Sequence, residues 1–381
     1  MKDQYVILTG SKNNAGDYLI KYRAKQLFSE IRPDRKIIDL NAYEKLSKEK
    51  LEVINSSKAL ILMGGPALVR NMVPKVYPLT GNIDDIKVPI IMMGIGWKSQ
   101  QGNWKDTYNY SLGVKDLELL RKIDSFGFQS SVRDYHTLNS LRFNGFENFL
   151  MTGCPAYYDS NFINTYFRPY EVKKVAFSLG VSFMNSTSME RLMKENILAC
   201  KKRYIDREFE VVFHHSLDRD NYKVVDNSSL RHVNTHIKFT QWLKKHGISY
   251  VDISGSAENL MNYYSKVDLH IGYRVHAHIF MNSIAKKSIL ISEDGRGKGV
   301  KGAIGGIVLD GYLGFKNGII SRVLNRILPS YDRFYSNKFL IKELYYEADY
   351  EKTINFTRLK EARNRIDHNY LIMKQFLIQL P

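Results

Sequence analysis

Cysteine is almost absent from the chain: Cys154 and Cys200 are the only two in 381 residues. Two such residues provide neither a disulfide framework nor a zinc-ligand spacing, which fits a reducing, cytosolic compartment. Long apolar runs are missing too. The start, M-K-D-Q-Y-V-I-L-T-G, has an apolar run far too short for a signal-peptide core, and no run approaches a membrane span. The sequence therefore reads as cytoplasmic, or peripheral at the inner face of a membrane. No G-x-G-x-x-G fingerprint occurs, so no dinucleotide and no other cofactor is implied. Basic blocks and the signatures of nucleic-acid modules are absent as well, so nucleic acid is not an expected partner.

What is present is positive charge and aromatic surface. The formal charge is +17, with 25 Tyr and 19 Phe. Such a charge favours polyanionic partners: anionic lipid, or a phosphate-bearing substrate. Hydrophobic residues at 44% and charged residues at 25% are globular values. At this length two domains are the default.

Short apolar runs alternate with helical patterns through most of the chain. Tyr5–Thr9, Lys36–Leu40, A-L-I-L-M ending at Gly64-Gly65-Pro66, and P-I-I-M-M ending at Gly94-Ile95-Gly96 read as strands. F-G-F-Q-S-S-V-R-D ends a further strand at Arg133 and Asp134, and F-L-M-T-G-C-P closes this half. A second series follows with K-V-A-F-S-L-G, F-E-V-V-F, I-S-Y-V-D-I, V-D-L-H-I-G and K-S-I-L-I-S. Helices are expected from Tyr18 to about Phe28 and from Ala42 to Val53. Strands alternating with helices and ending in Gly-containing turns predict an α/β fold. The expected architecture is two Rossmann-like, doubly wound domains facing across a cleft, over 1–165 and 166–330. A helical tail over 331–381, without strands, completes it.

Ligands of open α/β sheets bind at the carboxyl ends of strands, so those junctions hold the candidate residues. The densest is V-D-L-H-I-G-Y-R-V-H-A-H-I-F, residues 267–280. A strand ends at Gly272, and a helical pattern with Val275, Ile279 and Phe280 apolar begins beside Arg274, His276 and His278. An always-charged guanidinium two residues from an imidazole offers a carboxylate clamp and a proton donor. His278, four residues from Arg274, would lie on the same helix face and buttress it. Arg133 offers bidentate anion contact, or an internal ion pair with Asp134. The loop Asn13-Asn14-Ala15-Gly16-Asp17 reads as a turn with Asp17 as a capping residue, and Gly65 and Gly96 permit close backbone approach to a ligand. His214-His215 would point to opposite faces and not chelate one ion, so no metal is expected. E-D-G-R-G-K-G-V at 293–300 reads as a Gly-rich loop, either closing over a phosphate or solvated.

Taken in order, Asn14, Gly16, Asp17 and Ile20, then G-G near 64, G-I-G at 94, S-V-R-D at 131, T-G-C-P at 152 and V-D-L-x-I-G-x-R-x-H-A-x-I-F form a set. It resembles the polysaccharide pyruvyl transferase family over about residues 10–300. Two departures are Ala285-Lys286-Lys287, where members often carry G-x-P, and Cys154, where many carry an acid. The resemblance implies two Rossmann-like domains of GT-B type and transfer of pyruvate from phosphoenolpyruvate to a surface glycan. The product is a cyclic ketal in most members. On this reading Arg274 binds the donor carboxylate, with Val275 and His278 beside it. Arg133 makes a second anionic contact, and His276 protonates the enol carbon. Asn14, Asp17, Gly65 and Gly96 serve the acceptor or its loops. The expected partners are phosphoenolpyruvate, a glycan acceptor that is lipid-linked or polymeric, and the anionic membrane surface. Two alternatives stay open: a GT-B glycosyltransferase using a nucleotide sugar, and a non-catalytic polyanion-binding protein.

Overall fold

Each apolar run named above forms a parallel strand in the computed structural model, which describes residues 3–9, 14–42, 44–225, 229–316, 318–328 and 331–381. Residues 10–13 of the first loop lie outside the described residues. The chain divides into two compact units: Met1–Lys12, Leu19–Asn164 and Asn364–Pro381 form one, and Asn13–Tyr18 with Thr165–Arg363 the other. Residues 331–381 are thus shared between them.

In the first unit β1 (Gln4–Thr9), β2 (Lys36–Asn41), β3 (Ala59–Met63) and β4 (Ile90–Met93) pair in the order β2-β1-β3-β4. The parallel pair β5 (Ser130–Val132) and β6 (Phe149–Met151) joins through a single bridge, Ile95 to Val132. All five residues of β3 are fully buried, as expected of a parallel strand covered on both faces. Burying each such aliphatic side chain stabilises the fold by about 1.5–3 kcal/mol.

The second unit contains β7 (Lys174–Ser178), β8 (Glu208–Phe213), β9 (Ser249–Asp252), β10 (Leu269–Gly272), β11 (Lys287–Ser292) and β12 (Ile307–Asp310). Their order is β12-β11-β10-β7-β8-β9, all parallel. Counted from β7, this is the Rossmann order, and the chain reverses direction between β7 and β10. That switch point is where the 267–280 stretch emerges.

Several local expectations need correction. The first helix spans Ala15–Ile31, not Tyr18 onward, because Asn14 supplies its cap; the second spans Lys48–Asn55, capped by Ser47. Residues 293–300 do not form a loop. A helix, Gly295–Ile304, starts there behind Asp294, whose carboxylate accepts the Arg296 N–H and pairs with its guanidinium. Cap and ion pair together outweigh the poor helix propensity of glycine, about 1 kcal/mol per residue. The tail region is not free of strands either: Tyr312–Phe315 (β13) and Phe334–Ser336 (β14) form an antiparallel ribbon. Those segments, of four and three residues, are too short to show periodicity.

Within the second unit, the helix Val275–Ser283 is anchored at its far end. The buried Arg363 guanidinium donates to the carbonyls of Asn282 and Ser283, at 3.3 and 2.7 Å. A cation at a helix C-terminus also complements its dipole. We expect Arg363→Met to lower the unfolding free energy by about 3 kcal/mol, read by urea denaturation; an unchanged midpoint would contradict this anchoring role.

Candidate functional site

At the switch point, β10 must end against the end of β7. Gly272 makes this possible. Its φ of +140°, and the 2.4 Å that would separate a Cβ from the Ser178 carbonyl oxygen, exclude any other residue without strain. The chain then turns so that Arg274 occupies the N-cap position of the Val275–Ser283 helix, with no side-chain cap. The Arg274 N–H donates to Ser178 Oγ at 2.9 Å, and its Nε donates to the Leu179 carbonyl at 2.7 Å. The guanidinium is buried, and its remaining terminal nitrogen NH2 has no hydrogen-bond partner among the described residues. Burial pulls its pKa down to about 10, helped by Arg296 and opposed by Glu293, Tyr264 and Asp17. It remains a cation at neutral pH.

Ser178 is the first link of a buried hydrogen-bond chain. Its hydroxyl meets His270 Nε2 at 2.7 Å, His270 Nδ1 meets Ser288 Oγ at 2.7 Å, and Ser288 Oγ meets His278 Nδ1 at 2.7 Å. Burial holds His270 well below the ordinary histidine range and His278 down to about 3, so both rings are neutral. Each neutral ring supplies one donor and one acceptor, so the protons run along the chain in one sense or the other, and every hydroxyl and imidazole nitrogen between Ser178 and His278 Nδ1 is paired. His278 is thus linked to the Arg274 backbone N–H through Ser288, His270 and Ser178.

His276 is directed toward the start of the first helix. A Cβ on Gly16 would lie 2.3 Å from His276 Nδ1, so the imidazole packs directly on that glycine. Asn14 shapes this turn: its side-chain oxygen accepts the Gly16 N–H at 2.9 Å, and its amide donates to Asp17 at 3.1 Å. The cap is therefore Asn14, and Asp17 sits in the first turn of the helix, buried. The Ala15 N–H donates to the His214 carbonyl at 3.1 Å, which fastens the turn to the end of β8. The N-x-G-D element thus belongs to the same neighbourhood as R-x-H, although more than 250 residues separate them in the sequence.

Val275 is buried in the first turn of its helix. Glu293, not singled out in the sequence, accepts the N–H groups of Val181 and Ser182, at 2.9 Å each by its Oε2. Its acidic character beside a strand end was a usable signal, but the Gly-rich run after it suggested a loop. His214 and His215 diverge. The first bonds Tyr264 at 2.8 Å, and the second stacks near His232 with ring centroids 4.3 Å apart. Among the described residues no three His, Cys, Asp or Glu side chains group as a metal site.

Arg133, in the first unit, is buried against Gly96, and its Nε lies 3.6 Å from Asp134. Asp134 is occupied as the cap of the helix Tyr135–Phe143, accepting from Thr137 N at 2.8 Å. The two terminal guanidinium nitrogens of Arg133 have no hydrogen-bond partner among the described residues. The Gly65 carbonyl accepts the Gly96 N–H at 2.8 Å, so these two glycines brace one another.

The contact of Gly16 with His276 is directly testable. We expect Gly16→Ala to shift the imidazole NMR signals of His276, whereas Gly81→Ala, whose Cβ would meet nothing within 4 Å, leaves them in place. Unmoved signals in Gly16→Ala would contradict the contact.

Comparison with solved structures shows the fold. The UDP-GlcNAc 2-epimerase from Neisseria meningitidis, bound to UDP-GlcNAc, is similar with a TM-score of 0.51 at 10% identity, over 98% of this chain and 99% of that one. The S. aureus MnaA–UDP co-structure is similar with a TM-score of 0.53 at 10% identity, over 100% of this chain and 98% of that one. Two Rossmann-like units in a GT-B-like fold are therefore established. The sequence matches none of the curated proteins. A family model, polysaccharide pyruvyl transferase, matches residues 14–280.

Proposed function

The chain belongs to the polysaccharide pyruvyl transferase family, and from that premise we propose that it moves pyruvate from phosphoenolpyruvate onto a sugar of a surface glycan or its lipid-linked precursor, with release of phosphate. The observation that carries this reading is the Arg274 guanidinium. It is buried and oriented by Ser178 and Leu179, and its terminal NH2 has no protein partner among the described residues. A buried cation held in this way suits a carboxylate arriving with the substrate. The uncapped start of the Val275–Ser283 helix adds a favourable dipole for an anion. Phosphoenolpyruvate has a carboxylate and a phosphate, so it needs this kind of environment.

His276 is the proposed general acid. Protonating the methylene carbon of the enol gives a methyl group and an oxocarbenium-like carbon. One sugar hydroxyl adds to that carbon. Loss of phosphate and addition of a second hydroxyl then close a ketal, and both hydroxyl protons are passed on. Gly16 leaves room for the imidazole beside the helix start, and Asp17 lies in the same turn as a candidate to accept a hydroxyl proton. Arg133, with its two unoccupied guanidinium nitrogens, is the candidate for a second anionic contact. Asn14 acts through the turn it caps, and Gly65 and Gly96 through the backing of Arg133.

Arg274→Lys keeps the charge and loses the fork. We expect it to raise the KM for phosphoenolpyruvate at least about tenfold, with a smaller loss in kcat. His276→Gln should lower kcat by about 100-fold or more while KM stays close to wild type. Near-normal turnover in His276→Gln would remove it from the acid role. Release of a nucleoside diphosphate from a nucleotide sugar, with no phosphate from phosphoenolpyruvate, would favour a glycosyltransferase. Salt-sensitive binding to any polyanion without turnover would favour a non-catalytic role.

A further inference from the structure

The second unit displays an apolar helix face that is exposed among the described residues. In the helix Ile319–Ile327, Ile319, Ile320 and Ile327 are 79%, 75% and 67% exposed, and Val323 is exposed as well. Ile320, Val323 and Ile327 recur at i, i+3 and i+7, which places them on one side of the helix. Leu328, 46% exposed, follows in sequence, and Tyr335 on β14 is exposed as well. The ribbon and the helix are tied together: Tyr331 donates from its hydroxyl to Ser321 Oγ at 3.0 Å and from its N–H to the Leu328 carbonyl at 3.0 Å. Soluble proteins rarely leave so many large aliphatic side chains together in water.

In sequence, the helix and its flanks carry charge of one sign, whereas Asp310, Glu343 and Glu347 lie beside Leu313 at the edge of the ribbon. Residues 311–331 contain Lys316, Arg322 and Arg326 and no Asp or Glu. The Lys316 ammonium lies over the rings of Tyr331 and Tyr335, 4.7 and 4.8 Å from their centroids, and Arg333 lies over Phe315 at 4.3 Å. Tyrosines beside basic residues at the border of an apolar strip match the chemistry of a membrane–water interface. The nearest acid in sequence, Asp332, is turned to another task. Its carboxylate accepts from Ser186 Oγ and Ser188 N at the start of the helix Thr187–Arg203. With nine residues, the Ile319–Ile327 helix is too short to span a bilayer, and no helix among the described residues is long and apolar enough to do so.

We propose that this helix and the adjoining β13–β14 ribbon form a docking surface for an anionic phospholipid bilayer. The helix lies in the plane of the interface with its isoleucines among the acyl chains. Charge decides between a bilayer and a second copy of the chain. An isologous dimer through this patch would set an acid-free, cationic stretch against itself, whereas anionic headgroups neutralise it. The net charge of +17 gives long-range attraction of the same sign. Docking here is independent of the reaction assigned to Arg274 and His276.

Vesicle co-sedimentation of the full chain tests this. At low salt the protein should sediment with phosphatidylglycerol-containing phosphatidylcholine vesicles and stay in solution with phosphatidylcholine alone. Ile320→Glu and Ile327→Glu alter exposed side chains, so far-UV circular dichroism should be unchanged, while vesicle affinity falls at least about tenfold for each. Arg322→Gln and Arg326→Gln should weaken binding about fivefold each, and added salt should weaken it further. Three results would overturn the proposal: no sedimentation of the wild-type chain, equal sedimentation of Ile320→Glu, or loss of self-association in Ile320→Glu by analytical ultracentrifugation without vesicle binding in the wild type.

Discussion

A guanidinium removed from water, with no carboxylate in contact among the described residues, is the constraint around which the second unit's switch point is arranged. Desolvating a cation is costly unless its hydrogen bonds are replaced. The fold replaces some of them, through the Leu179 carbonyl to Nε and Ser178 to the backbone N–H, and leaves the terminal NH2 to a ligand. Gly272 permits the approach of β10 to β7, and Arg363 anchors the far end of the helix that begins after Arg274. The chain from Ser178 through His270 and Ser288 to His278 keeps neutral rings behind the cation and couples their tautomers. Two further cations in that core would repel the first, and burial prevents them.

Much of this was legible in the residues. The strand periodicity and the glycines at strand ends placed all eleven expected strands, and the R-x-H element fell at the sheet reversal where ligands of such folds bind. What was hidden depends on contacts distant in sequence. Nothing near Gly16 indicates that it faces His276, and nothing near Ser178 indicates that it accepts from Arg274. The hydrogen bond of His278 across to Ser288 on β11 was likewise invisible in the sequence, because helical spacing relates it only to Arg274. The G-R-G-K-G run suggested a loop because its glycines are poor helix formers, and the capping of the helix by Asp294 with its ion pair to Arg296 was overlooked. The exposed Ile319–Ile327 face went unnoticed because only burial distinguishes it from an ordinary packed helix.

The family is the ground for the proposed pyruvyl transfer, and the buried Arg274 and the imidazole beside Gly16 are the residues proposed to serve it. The apolar and basic surface near Ile320 concerns where that chemistry takes place. Glycan precursors carried on lipids are presented at a membrane, so a helix lying in the interface would bring the enzyme to them without any spanning segment.

The most direct test of the central claim is incubation of the purified chain with phosphoenolpyruvate and a panel of synthetic and lipid-linked glycosides, followed by mass spectrometry and a phosphate assay. The account predicts that one glycoside gains the mass of pyruvate less water, with one phosphate released per product and release several-fold slower in Arg274→Lys at a sub-saturating donor concentration. Transfer from a nucleotide sugar with no phosphoenolpyruvate consumed would contradict it.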